Sequence, residues 1–326
     1  MEMIPNILLS VENVVKYFPL RRGLIFSKKN YVRAVDGVSF KVVQGDNLAI
    51  VGESGSGKTT LGRIICRLLE PTSGQIFLDG KNVYSYSPHD YAKLVQPIFQ
   101  DPYSALNPWK KVHQILEAPF KIHHIKYTEE DLVNLLENVG LTKDFLKRYP
   151  HELSGGQRQR IVIARALALR PKIIVADEPV SGLDVTVQTQ IIQLLKQIQT
   201  ISNSTYIVIS HDLRLVERLC TRVVVMYLGK ICEIGPVNKI ISSPVHPYTK
   251  SLLASFPSGD PEDRRWVESP PLKGEAPSAV SPPSGCRFRT RCSLAQPKCA
   301  MEEPPLTRID GDHYAACPVV LGGWRD

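Results

Sequence analysis

Gly52-Glu53-Ser54-Gly55-Ser56-Gly57-Lys58-Thr59 is a loop built to hold phosphate. Its glycines let successive backbone N–H groups turn inward on a β-phosphate. Lys58 can span the terminal phosphates, and Thr59 can place a hydroxyl on magnesium. Asn47-Leu48-Ala49-Ile50-Val51 ahead of it is an apolar run of strand length, and Thr60 to Leu69 continues as a helix whose N-terminal dipole adds to the anion site. Strand before and helix after distinguish the segment from a glycine turn with a chance lysine, and they make the fold class α/β.

Working outward, Ile173-Ile174-Val175-Ala176 is continuously apolar, as a parallel strand covered on both faces must be, and it ends in Asp177-Glu178. Such a pair is often only a solvated turn. After a buried strand in a phosphate-binding protein, Asp177 suits a magnesium ligand and Glu178 the orientation of an attacking water. Between the two segments, Leu153-Ser154-Gly155-Gly156-Gln157 opens a helix and offers a second anion-binding end, although an ordinary capped helix start has the same form. One chain with two phosphate-binding ends and a single nucleotide loop suggests that each end completes its site on a partner molecule.

These residues resemble the nucleotide-binding subunits of ATP-binding-cassette (ABC) transporters, in order from Leu8 to Leu253. Phe99-Gln100 matches the Q-loop, Leu153 to Gln157 the signature, Ser181-Gly182-Leu183-Asp184 the D-loop, and His211 the switch histidine. Gly182 stands where many relatives have alanine. The resemblance implies an ABC-type P-loop NTPase: a RecA-like core with an antiparallel β subdomain and a helical arm. It also implies that Phe18, or alternatively Tyr17, stacks on adenine. Gly52, Ser54, Gly55, Gly57, Lys58, Thr59 and Thr60 then bind ATP, together with Ser154, Gly155, Gly156 and Gln157. Thr59, Gln100 and Asp177 hold Mg2+, and Glu178, His211 and Gln100 are catalytic. Alone, Gln100 reads as a polar strand end. His211 directly follows the apolar strand Tyr206 to Ser210, where a donor to a γ-phosphate is expected.

Composition adds bounds. The chain has 326 residues, 43% of them hydrophobic, enough for one large core and a small second module. Apolar runs such as Val223 to Met226 are too short to cross a bilayer, and the first residues lack a signal-peptide pattern, which predicts a soluble cytoplasmic protein. A net charge of +8 suits anionic lipid headgroups or nucleic acid. The densest basic cluster, Arg21, Arg22, Lys28, Lys29 and Arg33, falls in an expected hairpin insertion and reads first as a solvated loop. It has no interleaved aromatics to favour a nucleic-acid groove.

The organisation predicted is a cassette over residues 1–243, with its helical arm at about 101–170, and a proline-rich, loop-like extension over 244–326. In the arm, Thr128-Glu129-Glu130-Asp131 starts a helix carrying Leu132, Leu135, Leu136 and Val139 at helical spacing. The extension holds 13 of the 25 prolines and four of the seven cysteines, so it has little core of its own and needs a staple. Cys66, Cys220 and Cys232 read as small core residues.

His246-Pro247-Tyr248-Thr249 and Cys286, Cys292, Cys299 and Cys317 resemble the C-terminal extension of oligopeptide and dipeptide permease ATPases. Phe99 to Pro108 and Arg148-Tyr149-Pro150-His151 are typical of the F-type subunit. A reducing cytosol disfavours disulfides, and the cysteine spacing by itself names no metal. The subfamily resemblance implies a [4Fe-4S] cluster on these four cysteines, with zinc as the alternative; because metal binding would fold a proline-rich segment without an adequate core, its expected role is structural, well away in sequence from the hydrolytic residues.

The resemblance as a whole implies an ATP-hydrolysing importer subunit, most simply for di- and oligopeptides, peripheral on the cytoplasmic face of the membrane. Its partners would be a homologous ATPase subunit, in a homodimer or heterodimer, two transmembrane permease subunits and an extracytoplasmic solute-binding protein, with no specific nucleic acid. Import of oligosaccharides or metal chelates is the alternative within the subfamily. A soluble ABC protein acting on nucleic acid or ribosomes is favoured only by the charge.

Overall fold

The apolar run ahead of the phosphate loop becomes a fully buried strand in the computed structural model, which describes residues 6–20, 30–202, 204–255 and 274–323. The chain forms two compact units, one of residues 1–43, 48–81 and 210–326 and the other of residues 44–47 and 82–209. Of the basic cluster, Arg21, Arg22, Lys28 and Lys29 lie outside the described residues.

The first unit opens with β1 (Ile7–Leu20), β2 (Asn30–Val43), β3 (Leu48–Val51), α1 (Lys58–Ile65) and β4 (Ser73–Leu78); the two-residue strand β5 (Lys81–Asn82) falls at the division, Lys81 being its last residue here and Asn82 the first of the second unit's longer stretch. β1 pairs antiparallel with both β2 and β4. That layer is the antiparallel β subdomain. α1 stops at Ile65, four residues short of the expected Leu69, because Cys66 caps it and Arg67 turns left-handed at φ 56°. Cys66 is therefore half-buried rather than core, whereas Cys220 and Cys232 are buried as expected.

The second unit contains α2 (Pro88–Leu94), β6 (Val95–Ile98), α3 (Pro102–Ala105), α4 (Val112–Ile122), α5 (Glu129–Glu137), α6 (Gly155–Leu167), β7 (Ile173–Asp177), α7 (Val185–Ser202) and β8 (Thr205–Ile209). β6, β7 and β8 run parallel, in register from Val95↔Ile173 and Ile173↔Thr205. Both β7 up to Ala176 and all of β8 are buried, which is why their sequences are apolar without alternation. Between β6 and β7 the described chain is helices and 3-10 turns, the expected arm. α5 starts where the sequence places it: Thr128 accepts from the Asp131 N–H, and three acids fill the positive first turn. Leu132, Val133, Leu135 and Leu136 face inward from it, each contributing about 2 kcal/mol by burial.

The first unit resumes with α8 (Leu213–Leu219), β9 (Arg222–Tyr227), β10 (Lys230–Pro236), α9 (Val237–Ser242), α10 (Pro247–Ala254), β11 (Thr307–Asp310) and β12 (His313–Ala315). β3 pairs parallel with β9, β9 antiparallel with β10, and the extension then adds β12 and β11 antiparallel beyond β10. The proline-rich extension is thus more than loop, supplying a two-turn helix and two short strands. Glu233 on β10, fully buried, staples it in place. Its carboxylate accepts from the N–H groups of Val245 and His246, both at 2.9 Å, and lies 2.7 Å from Nε2 of His313. His246 caps α10 by accepting from the Tyr248 N–H at 3.0 Å, and burial holds its pKa down at about 3, so the ring is neutral. Among the described residues no helix is long and apolar enough to cross a membrane.

Candidate functional site

In the phosphate loop the glycines are required by the backbone. Gly52 and Gly57 have φ of 151° and 101°, and a Cβ there would come within 2.1 Å of the Met226 carbonyl oxygen and 2.0 Å of the Ala34 carbonyl oxygen. Gly57 is the N-cap of α1 and offers no side chain to its first N–H groups, which leaves that end suited to an anion. Lys58 is buried, its Nζ donating to the Gly52 and Glu53 carbonyls at 2.8 Å each. The ammonium is therefore held over the loop. Ser54 and Gly55 are exposed at its crest, and Thr59 and Thr60 are half-buried on the first turn of α1.

On β1, the Tyr17 hydroxyl donates to Asp36 at 2.7 Å, and burial, then this bond, raises its pKa. The neighbouring Phe18 ring carries the Lys16 Nζ 5.2 Å from its centroid. His211 follows Ser210, whose N–H donates to the Ile50 carbonyl at 3.2 Å, and is exposed.

In the second unit, Asp177 ends β7 half-buried and Glu178 follows in the left-handed region at φ 46°, uncommon for a residue with a side chain. The Glu178 N–H is bonded to the Ile209 carbonyl at 2.8 Å, which holds that turn. Gln100 Nε2 donates to Glu178 Oε2 at 3.3 Å, so the structure brings together two residues 78 apart in sequence. At α6, Ser154 Oγ accepts from the Gln157 N–H at 3.3 Å and Gln157 Oε1 from the Ser154 N–H at 3.0 Å. The two bonds form a reciprocal cap, and the first turn carries no acid. Gly155 packs against Leu183 of the D-loop, and Gly156 against the segment after it, where a Cβ would meet Val187 Cγ1 at 2.6 Å.

Known proteins fit this geometry. The family described as "ABC transporter" matches residues 35–181, and that described as "Oligopeptide/dipeptide transporter, C-terminal region" matches residues 232–299. The oligopeptide transport ATP-binding protein AppF of Bacillus subtilis is 46% identical over 95% of this chain and 96% of its own length. The chain belongs to the ABC transporter ATPases of the oligopeptide/dipeptide group. The dipeptide transport ATP-binding protein DppF of Haemophilus influenzae is 45% identical over 95% of the chain and 96% of its own length. Among solved structures, the dimeric ATP-binding cassette MJ0796 bound to ADP and Pi superposes with a TM-score of 0.61 at 28% identity, covering 71% of this chain and 99% of that one.

The cysteines of this ABC ATPase sit close enough to influence one another. Burial pushes the Cys286 thiol up to about 11, and Cys299, Cys317 and Cys292 add to the shift. Burial likewise raises Cys292 and Cys317. Backbone N–H groups donate to two of the sulfurs, that of Leu294 to Cys292 and that of Gln296 to Cys299, at 3.4 Å each. Among the described residues, however, no group of three or more His, Cys, Asp or Glu side chains is gathered as it would be around a single metal ion.

Separation in sequence does not carry over into space. Arg291, next to Cys292, donates from Nη1 to both carboxylate oxygens of Glu53, at 3.0 and 2.9 Å, within the phosphate loop. Sequence reading left Glu53, Arg287 and Arg291 without roles. Three arginines between two cysteines, in Cys286-Arg287-Phe288-Arg289-Thr290-Arg291-Cys292, were the available signal.

Proposed function

We propose that this ATPase powers import of di- and oligopeptides through two transmembrane permease subunits fed by a solute-binding protein, with residues 1–243 as the cassette and 244–326 as its extension. Two nucleotide-binding subunits, this chain and a homologous partner or a second copy, close on two ATP molecules and reopen after hydrolysis. The observation that carries this reading is the phosphate loop, with Lys58 held on two loop carbonyls above an uncapped helix end.

In this mechanism Phe18 stacks on adenine, and Gly52 to Thr60 bind the phosphates. Glu178, with its carboxylate oriented by Gln100, positions the water; His211 donates to the γ-phosphate; and Ser154 to Gln157 contact the partner's nucleotide. Thr59, Gln100 and Asp177 are oxygen donors of the kind magnesium prefers, and the ion neutralises phosphate charge when bound. Reconstitution with the permease subunits in liposomes tests the substrate. ATP hydrolysis is expected to rise several-fold, about 1 kcal/mol in barrier, when the binding protein carries a peptide. Stimulation by an oligosaccharide or a metal chelate and not by peptides would reassign the cargo.

For Cys286, Cys292, Cys299 and Cys317 we propose a [4Fe-4S] cluster. The N–H groups directed at the Cys292 and Cys299 sulfurs support it, and a cubane, with one thiolate per iron, does not require its ligands to converge on a single ion. Protein purified without oxygen is expected to be brown and to contain about four irons and four sulfides per chain. Stoichiometric zinc without sulfide would replace the cluster with zinc.

A further inference from the structure

Two arginines of the interval between Cys286 and Cys292 reach out of the extension, Arg291 to the phosphate loop itself and Arg287 to the Leu228-Gly229 turn and Asp36, which are bonded to it. On one side is Glu53, held by three groups. Its carboxylate takes Arg291 Nη1, its N–H donates to the Tyr248 hydroxyl at 2.8 Å, and its carbonyl receives Lys58 Nζ at 2.8 Å. The Arg291 side chain is only 7% exposed and also donates to the Tyr227 hydroxyl at 3.3 Å. The Tyr248 ring is fully buried, 4.7 Å from Tyr227 and 5.4 Å from Phe288 between ring centres, so its hydroxyl is fixed by packing.

On the other side, Arg287 donates to the Leu228 carbonyl and to Asp36. The Leu228-Gly229 turn is itself bonded into the loop, the Gly229 N–H donating to the Ser56 carbonyl at 2.9 Å and the Asp36 N–H to the Gly229 carbonyl at 2.9 Å. Both residues of that turn are left-handed, at φ 44° and 81°, so its shape needs support from outside.

A carboxylate inside a loop that binds phosphates is a liability. Unpaired, Glu53 would repel the nucleotide and leave a partly buried charge uncompensated. The geometry points to Arg291 as a positioning residue of the nucleotide site: it neutralises Glu53 and holds the loop in its phosphate-binding form, which makes the C-terminal extension part of that site. This inference rests on the chain being an ABC ATPase and is independent of which metal, if any, the cysteines hold.

The test uses the purified full chain, a fluorescent ADP analogue, steady-state hydrolysis and the thermal midpoint. Arg291→Ala is expected to weaken nucleotide binding about tenfold and to raise KM with little change in kcat, because the lost interaction serves ground state and transition state alike. Adding Glu53→Gln to Arg291→Ala should restore most of the affinity by removing the stranded charge, and Arg291→Lys should fall between. Affinity within twofold of wild type in Arg291→Ala overturns the inference. So does a loss that tracks a lowered thermal midpoint and is not repaired by Glu53→Gln. Wild-type protein that binds no nucleotide would instead defeat the ATPase reading itself.

Discussion

Glu178→Gln is expected to lower steady-state ATP turnover by about a thousandfold while leaving nucleotide affinity within a few-fold of wild type. The amide keeps the shape of the side chain and loses the charge that polarises water. Local geometry favours a clean result. Glu178 sits in a left-handed turn fixed by its N–H on the Ile209 carbonyl, and its carboxylate accepts from Gln100 at 3.3 Å. A glutamine there retains an oxygen to accept the same bond, so the turn and the contact survive. Phosphate release and analogue binding measured side by side decide the matter, and turnover within tenfold of wild type would remove Glu178 from its role.

The second large effect concerns pairing of subunits. Lys58→Ala should weaken nucleotide binding by about a hundredfold, since a buried ammonium already placed on the loop loses its charge-assisted bonds to phosphate. Ser154→Arg should abolish hydrolysis by a different route. Ser154 caps α6 through Gln157, and an arginine would put a bulky side chain across an N-terminal end that offers amides. In self-paired protein, equal mixing of the two inactive variants is expected to recover about a quarter of wild-type activity, because half the dimers then hold one intact composite site out of two. No recovery in demonstrably mixed dimers, or full activity of an isolated monomer at high dilution, would defeat the composite site.

Much of the site was legible because it is local. A left-handed backbone calls for glycine, which makes Gly52, Gly55 and Gly57 readable one by one. A reciprocal cap has a fixed spacing of three, which made Ser154 with Gln157 and Thr128 with Asp131 readable as helix starts. Buried parallel strands must be apolar throughout, and β7 and β8 are. The end of α1 was misread because its apolar pattern runs past the point where Arg67 turns left-handed.

The sequence by itself determined the phosphate loop, the strand carrying the paired acids, the capped signature helix and the change of composition at the extension. Each of these is written in a run of neighbouring residues. Only the tertiary structure decided that Glu233 staples the extension, that β11 and β12 join a sheet, and that Arg291 and Arg287 meet Glu53 and Asp36 across 238 and 251 residues. A charge pair formed at such a distance follows no period and requires no special backbone at either end. It is specified by the packing that brings the two chains of residues together, and packing is a property of the folded whole.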